Sequence, residues 1–285
     1  MRPRHVRKSK FQFSSFKFQR RWVCLLIFEI CCLLFVSSCA STRPVVKFGL
    51  VAPFEGRYRP LGYDAIYAAR LAVRERNAAG GVGGYRVELV AYDDGGDAQA
   101  AIERARQLVL DRQVVAAIGH YRVGTSRAAW DVYAREGLPL IAPVIPADSL
   151  PDSPCAGCKL TAAFRTGSAS QSLAFTGQDD VFAGGVAAGT VLVTGAPWPQ
   201  DVAGAEPFIA NYRAVSGGVE PGPYAWATYR AVQILFEAMA SVSGEPTRQQ
   251  VGAQLAARFD RQGVLPGVTT WVYRVEEAGR PVLQR

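Results

Sequence analysis

Between residues 45 and 144, short apolar runs alternate strictly with helical patterns, and this alternation restricts the chain to few folds. "VVKFGLVAP" (45–53) is β-branched and apolar, as a buried strand should be. Gly62 to Ala79 reads as a helix whose inner face carries Ile66, Ala69, Ala72, Val73 and Arg76 near i, i+3, i+4 spacing. "YRVELVAYD" (85–93) is a second strand, alternating Val87, Leu89 and Ala91 with polar neighbours. Asp97 is placed to cap a helix running through Arg112, with Ile102, Ala105, Leu108 and Val109 inward. "VVAAIGH" (114–120), a helix from Gly124 to Glu136 and "LPLIAPV" (138–144) complete the series. Successive βα units with apolar strands predict an α/β fold, a Rossmann-like parallel sheet covered by helices on both faces. Ligand chemistry then belongs at the carboxyl ends of the strands, in the loops after residues 52, 94, 119 and 143.

The glycine-rich "NAAGGVGG" (77–84) must be read against that order. A phosphate-binding loop follows a strand and opens a helix, because the anion rests on the helix N-terminus. These glycines do the reverse: they follow a helix and precede a strand, so they lie on the amino edge of the sheet. Gly80 and Gly81 are expected to stop the helix, and Gly83-Gly84 to turn the chain into strand two.

The second half is less regular. Residues 145–180 hold no periodic element beyond "TAAFRT". "AAGTVLVTGA" (187–196) reads as a strand, and "PGPYAWATYRAVQILFEAMA" (221–240) as a helix with Pro223 at its first position. Its apolar stripe is Trp226, Tyr229, Val232, Phe236 and Met239, with the two aromatics read as core in preference to a ligand cage. "TRQQVGAQLAARF" is a further helix, and "GVTTWVYRVEEAGRPVL" a terminal strand pair.

The net charge of +8 would suggest a nucleic acid or an anionic surface as partner, but it is unevenly distributed. Residues 1–38 carry eight Lys/Arg and one acid, Glu29, leaving 24 basic and 23 acidic side chains in the rest. A body at net +1 has no electrostatic footprint for DNA or RNA. The basic stretch precedes "VCLLIFEICCLLFVSSC", which has the layout of a secretory signal. Val36-Ser37-Ser38-Cys39 resembles a lipobox, in which Cys39 is lipidated and becomes the mature N-terminus; an uncleaved anchor is the alternative. Either way the body is expected outside the cytoplasm.

The body keeps two cysteines, Cys155 and Cys158 in "SPCAGCKL", and one histidine, His120. A metal site needs more ligands at matching spacing, so no metal is expected, and a local disulfide is the favoured reading. No G-x-S-x-G elbow is present, and Ser126, six residues beyond His120, makes no dyad with it by sequence alone. No catalytic constellation and no cofactor motif is found, and the chain is expected not to be an enzyme.

"KFGLVAPFEGRYRPLGYDAIYAARLAVRERNAAGGVGGYRVELVAYDDGGDAQAA", followed by "AIGHYRVGTS" and "GLPLIAPV", resembles the branched-chain amino-acid binding proteins, type I periplasmic binding proteins of ABC importers. "AAGTVLVTGA" and "PGPYAWATYRAVQ" resemble the later part of that family. The resemblance implies two Rossmann-like lobes that close on a small ligand. Between "AAFRTG" and "FTGQDD" two or three βα units of the second lobe are missing relative to it. The domains expected are a signal (1–38), a tether (39–44), a first lobe (45–146), an irregular connection (147–180), and the remaining second lobe with crossing segments (181–285).

The resemblance also implies a site. The loop after strand three would supply a hydroxyl and backbone N–H groups for a ligand carboxylate, here from Tyr121, Val123, Gly124 and Thr125. Val123 stands where the family has serine; Thr125 or Ser126 could substitute, or both are ordinary cap residues. Val144 and Pro146 fall where the family places a ligand-contacting threonine, and proline offers no N–H. Asp179 matches an acid that receives the ligand ammonium, with a solvated loop acid as the other reading. Tyr58 or Leu61 could cover an apolar ligand side chain, with plain loop packing as the alternative. The partners implied are an amino-acid-like ligand, an ABC permease and ATPase, and the membrane through an N-terminal lipid. A shortened lobe would expose apolar surface and predicts a dimer or a helper subunit.

Overall fold

In the computed structural model, residues 43–145, 150, 159–161, 188–189, 191–258, 271–276 and 281–284 are described. The expected signal, Cys39, Pro146, Cys155, Cys158 and Asp179 lie outside them. Five strands, β1 (Val45–Ala52), β2 (Arg86–Asp93), β3 (Val114–Gly119), β4 (Leu140–Ala142) and β5 (Lys159–Thr161), form one sheet in the order β2-β1-β3-β4-β5. All four pairings are parallel, as the βα alternation requires. The helices between the first four strands are α1 (Arg59–Ala78), α2 (Ala98–Leu110) and α3 (Val123–Arg135).

Strand period two sorts the core. Val46, Phe48, Leu50 and Ala52 of β1 face α1, where Leu61, Ala65, Ile66, Ala69 and Ala72 are buried. Val51 faces the other way with Ala105 and Leu108 of α2 and Ala129, Trp130 and Tyr133 of α3. Two sequence expectations shift by a residue. Ala101, rather than the half-buried Ile102, belongs to the inner face of α2, and Val73 and Arg76 are only half-buried on α1. Gly49 lets α2 approach β1, since a Cβ there would lie 2.2 Å from a Leu108 methyl.

Past the second connection come β6 (Val191–Thr194), a 3-10 turn (Pro199–Asp201), α4 (Glu206–Ser216), α5 (Pro223–Ala240), α6 (Arg248–Ala256), β7 (Trp271–Arg274) and β8 (Val282–Leu283). Strands β6, β7 and β8 form a separate antiparallel sheet, with the expected terminal pair as β7–β8. The three helices do not accompany that sheet. Tyr224, Val232, Leu235, Phe236 and Met239 of α5, with Val251 and Leu255 of α6, share the core of β1 and α1. Helix α4, unmarked in the sequence, packs Phe208 and Tyr212 on Ala68 and Leu71 of α1. Trp226 and Tyr229 are half-buried around Phe208 in this cluster, a packing role as expected.

Asp64 joins α1 to the incoming helices. Its carboxylate accepts N–H groups of Gly222 and Ala225 at 2.8 Å each and the Tyr212 hydroxyl at 3.2 Å, capping α5 from across the interface. Burial pushes this carboxyl up to about 7, against the hydrogen bonds that hold it down.

Candidate functional site

The two edges of the parallel sheet are built differently. On the amino edge, Gly81 N–H closes back on the Arg76 carbonyl at 2.8 Å and ends α1. Gly83 and Gly84, with φ of +53° and +90°, form the tight turn between Val82 and Tyr85, whose N–H and C=O groups pair reciprocally. Asn77 completes the lock: its side-chain oxygen accepts the Val87 N–H at 2.9 Å and its amide donates to the Val87 carbonyl at 2.8 Å. The "NAAGGVGG" stretch is therefore a self-satisfied helix stop and turn, as its place in the chain predicted.

The carboxyl edge gathers loops from three strands. Asp93 accepts the N–H of Phe54 at 2.7 Å and of Gly95 at 2.8 Å, tying the loop after β1 to the loop after β2. Arg122 lays its guanidinium 3.8 Å from the Tyr58 ring centroid and donates to the Gly96 carbonyl at 2.8 Å. Gly96 sits beneath with φ +74°, where a Cβ would come 3.0 Å from the Tyr58 ring. Tyr58 is thus held by Arg122, while Leu61 is fully buried in the core of α1 and cannot face a ligand.

Gly119 ends β3 with φ +122°; a Cβ there would be 2.0 Å from the Val51 carbonyl oxygen. The chain then sends two consecutive side chains into opposite cores. His120 goes toward α3 and meets Asp94 and Tyr133, each at 2.9 Å. Tyr121 goes toward α5, and its hydroxyl is 2.7 Å from the Thr228 hydroxyl. Burial pushes the Tyr121 phenol up, so it stays a neutral hydrogen-bonding group.

Helix α3 begins immediately after these anchors. The side chain of its N-cap residue, Arg122, makes no capping bond, and no acid stands in its first turn. Val123 is 39% exposed, and a Cβ added at Gly124 would meet open space. The N-terminal N–H groups and the positive end of the helix dipole there face the edge where the loops converge. The two hydroxyls considered as serine substitutes are committed elsewhere. Thr125 donates to the Arg122 carbonyl at 3.0 Å and Ser126 to the His120 carbonyl at 2.6 Å. Ser126 meets the backbone of His120 and not its imidazole, so the pair is no nucleophile–base dyad. Val144 is half-buried against Ile145 and Leu150. Of the expected site, the structure brings Val123 and Gly124 to the surface of the carboxyl edge and places Tyr121 and Thr125 beneath it.

Sequence reasoning missed the buried Asp94–His120–Tyr133 chain and the Arg122–Tyr58 stack, which join residues 13 to 64 positions apart. Among the described residues, no group of His, Cys, Asp and Glu could hold a metal ion, and no helix is long and apolar enough to cross a membrane.

Residues 45–178 match the periplasmic binding protein family. The Leu/Ile/Val-binding protein homolog 2 of Brucella abortus is 32% identical over 114 residues, 40% of this chain and 30% of that protein. The Leu/Ile/Val-binding protein of Escherichia coli is 29% identical over 119 residues, covering 42% of this chain and 32% of its own length. The matched segment thus spans about a third of the curated relatives. Solved structures extend the likeness in fold. A leucine-binding protein of Thermotoga maritima superposes with a TM-score of 0.67 at 14% identity, over 84% of this chain and 98% of that one. A solute-binding protein of Rhodopseudomonas palustris in complex with benzoate gives 0.66 at 16%, over 84% and 95%. In sequence over residues 45–178, and in fold beyond them, the chain resembles the branched-chain amino-acid binding proteins of the type I periplasmic binding fold.

Proposed function

We propose that the carboxyl edge of the parallel sheet binds the carboxylate of a small ligand, and that the protein delivers solute to an ABC importer from the outer face of the membrane. The single observation that carries this reading is the N-terminus of α3, which its own N-cap residue does not cap, exposed at Val123 and Gly124 where three loops meet. A carboxylate there would accept first-turn N–H groups that the Arg122 side chain does not cap and would complement the helix dipole. With Val123 in the serine position and the Thr125 and Ser126 hydroxyls turned to backbone, recognition rests on backbone donors. That favours a carboxylate-bearing ligand in general over leucine in particular. The named relatives bind Leu, Ile and Val, and solved neighbours hold isoleucine and benzoate, so both amino acids and aromatic acids belong in a first panel.

The rest of the reading follows the sequence. Lipidation at Cys39 would anchor the protein, with Cys155 and Cys158 as a disulfide pair, Pro146 near the ligand, and Asp179 as the ammonium acceptor. Residues 45–146 would form the first lobe, with α4, α5 and α6 sharing its core, and the antiparallel sheet would represent a shortened second lobe that a second copy or the permease covers.

Thermal unfolding with amino acids, short-chain acids and benzoates tests the proposal. A true ligand at about 100 times its Kd adds about 2.7 kcal/mol of stability. Failure of the whole panel to shift unfolding would favour the second reading, a non-transporting relative. That reading is supported by the small three-stranded second sheet among the described residues.

A further inference from the structure

Beneath the carboxyl edge lie three polar side chains to which the proposed ligand capture assigns no part. Asp94, His120 and Tyr133 follow β2, follow β3 and lie on α3, and all are buried, His120 and Tyr133 completely. His120 Nδ1 is 2.9 Å from Asp94 Oδ2, and Nε2 is 2.9 Å from the Tyr133 hydroxyl. A carboxylate offers only acceptors, so the proton it shares with the ring resides on Nδ1. Nε2 then presents a lone pair, and Tyr133 donates to it. Burial and the Asp94 charge both push the Tyr133 phenol up, which keeps its proton available for this bond. The opposite tautomer would set a ring lone pair against the carboxylate with no proton between them, a buried repulsion.

The same residues reach the start of α3 by two further routes. The remaining Asp94 oxygen accepts the Gly96 N–H at 2.9 Å, and the Gly96 carbonyl holds Arg122, the N-cap residue of α3. The His120 carbonyl accepts the Ser126 hydroxyl, inside the first turn of the same helix. Tyr133 closes the circuit from the last turn-and-a-half of α3. Both ends of α3 and the loop after β2 are therefore referred to one imidazole.

We propose that His120 is a positioning residue of the ligand edge: fixed as the neutral Nδ1–H tautomer between Asp94 and Tyr133, it sets where the α3 N-terminal N–H groups point. The ligand-binding part of this inference rests on the function proposed above; the tautomer and the positioning do not.

The test uses the full chain labelled with ¹⁵N-histidine. The chain has two histidines, and His5→Gln assigns the remaining ring signals to His120. Long-range ¹H–¹⁵N correlation is expected to show a protonated Nδ1 and a bare Nε2. Asp94→Asn supplies an amide donor and should move the proton to Nε2, with Tyr133 now accepting. Tyr133→Phe removes one anchor and should speed amide exchange at Val123, Gly124 and Thr125 by about tenfold relative to Gly80–Gly84. It should also raise the Kd of whichever of isoleucine and benzoate binds the unaltered protein by about tenfold. A bare Nδ1 in the unaltered protein overturns the tautomer, and unchanged exchange at residues 123–125 in Tyr133→Phe overturns the positioning role. Absence of binding by both probes to the unaltered protein overturns the ligand reading alone, because ring and amide signals still decide the rest.

Discussion

The amino and carboxyl edges of one sheet solve the same problem, reversing the chain between strand and helix, with opposite chemistry. The amino edge uses glycine: Gly80, Gly81, Gly83 and Gly84 all take positive φ, and their backbone bonds close among Arg76, Asn77, Val82 and Tyr85. The carboxyl edge has positive-φ glycines too, Gly95, Gly96 and Gly119, but adds buried polar side chains. Of the buried polar residues described, Asp94, His120, Thr125 and Ser126 lie there, with Asp64 and Thr228 at the adjoining starts of α1 and α5. Burying such groups costs stability unless each is bonded, and a chain retains them where geometry matters more than stability. The glycine-dense edge is closed upon itself, whereas at the polar edge the N-cap residue Arg122 does not cap the helix that it opens. On the proposed function, glycine density is a poor guide to the binding site, and a helix N-terminus on a braced loop is a better one.

Five changes test this contrast. The largest effect is expected from Gly119→Ala, which forces φ +122° on a residue with a Cβ that would meet the Val51 carbonyl. Urea unfolding should show a loss of about 3 kcal/mol or more. Gly81→Ala, 2.0 Å from the Tyr85 carbonyl, should lose a similar amount from the other edge while leaving ligand affinity in the remaining folded protein unchanged.

Asp64 provides a pH readout of the polar edge. In the folded state burial holds its carboxyl up to about 7, from an ordinary value of 3.8. Between those values the folded chain binds the proton that the unfolded chain has released, so the contribution of this group to stability is fullest below about pH 4 and falls as pH rises toward 7. The shift corresponds to about 4 kcal/mol across the window. Denaturant unfolding at pH 4, 5.5 and 7 should show this fall, and Asp64→Asn should remove its share of the slope.

Asn77→Ala deletes both bonds to Val87 and should cost about 2 kcal/mol, with binding intact. Gly124→Asp should do the reverse. A carboxylate in the first turn complements the helix dipole and should change stability by less than about 1 kcal/mol, in the favourable direction. It would nonetheless compete with a ligand carboxylate, and titration calorimetry should show binding weakened tenfold or more.

Much of the first lobe was legible in the sequence because its signals are local. A β-branched apolar run marked β1, alternation marked β2, period 3.6 marked α1 and α2, and Asp97 caps α2 through the Ala100 N–H as its position suggested. Helix α4 escaped because it buries one residue per turn, Phe208, Tyr212 and Ser216, a narrow stripe preceded by Gly204 and Pro207. The return of α5 and α6 to the first core was hidden for another reason. Period tells which face of a helix is buried but not which sheet buries it. The site divided along the same line. Order along the chain located the edge and the helix that opens at Val123. The brace of Tyr58, Gly96 and Arg122 joins residues far apart in sequence and becomes visible only when the chain is folded.

Amide chemical shifts during ligand titration test the central claim most directly, since both edges carry N–H reporters on one sheet. With a stabilising carboxylate identified in the thermal panel, the account predicts shifts concentrated at Val123, Gly124 and Thr125, with Gly80 through Gly84 unmoved. Shifts centred on the glycine turn, or binding that leaves residues 123–125 unmoved, would contradict it.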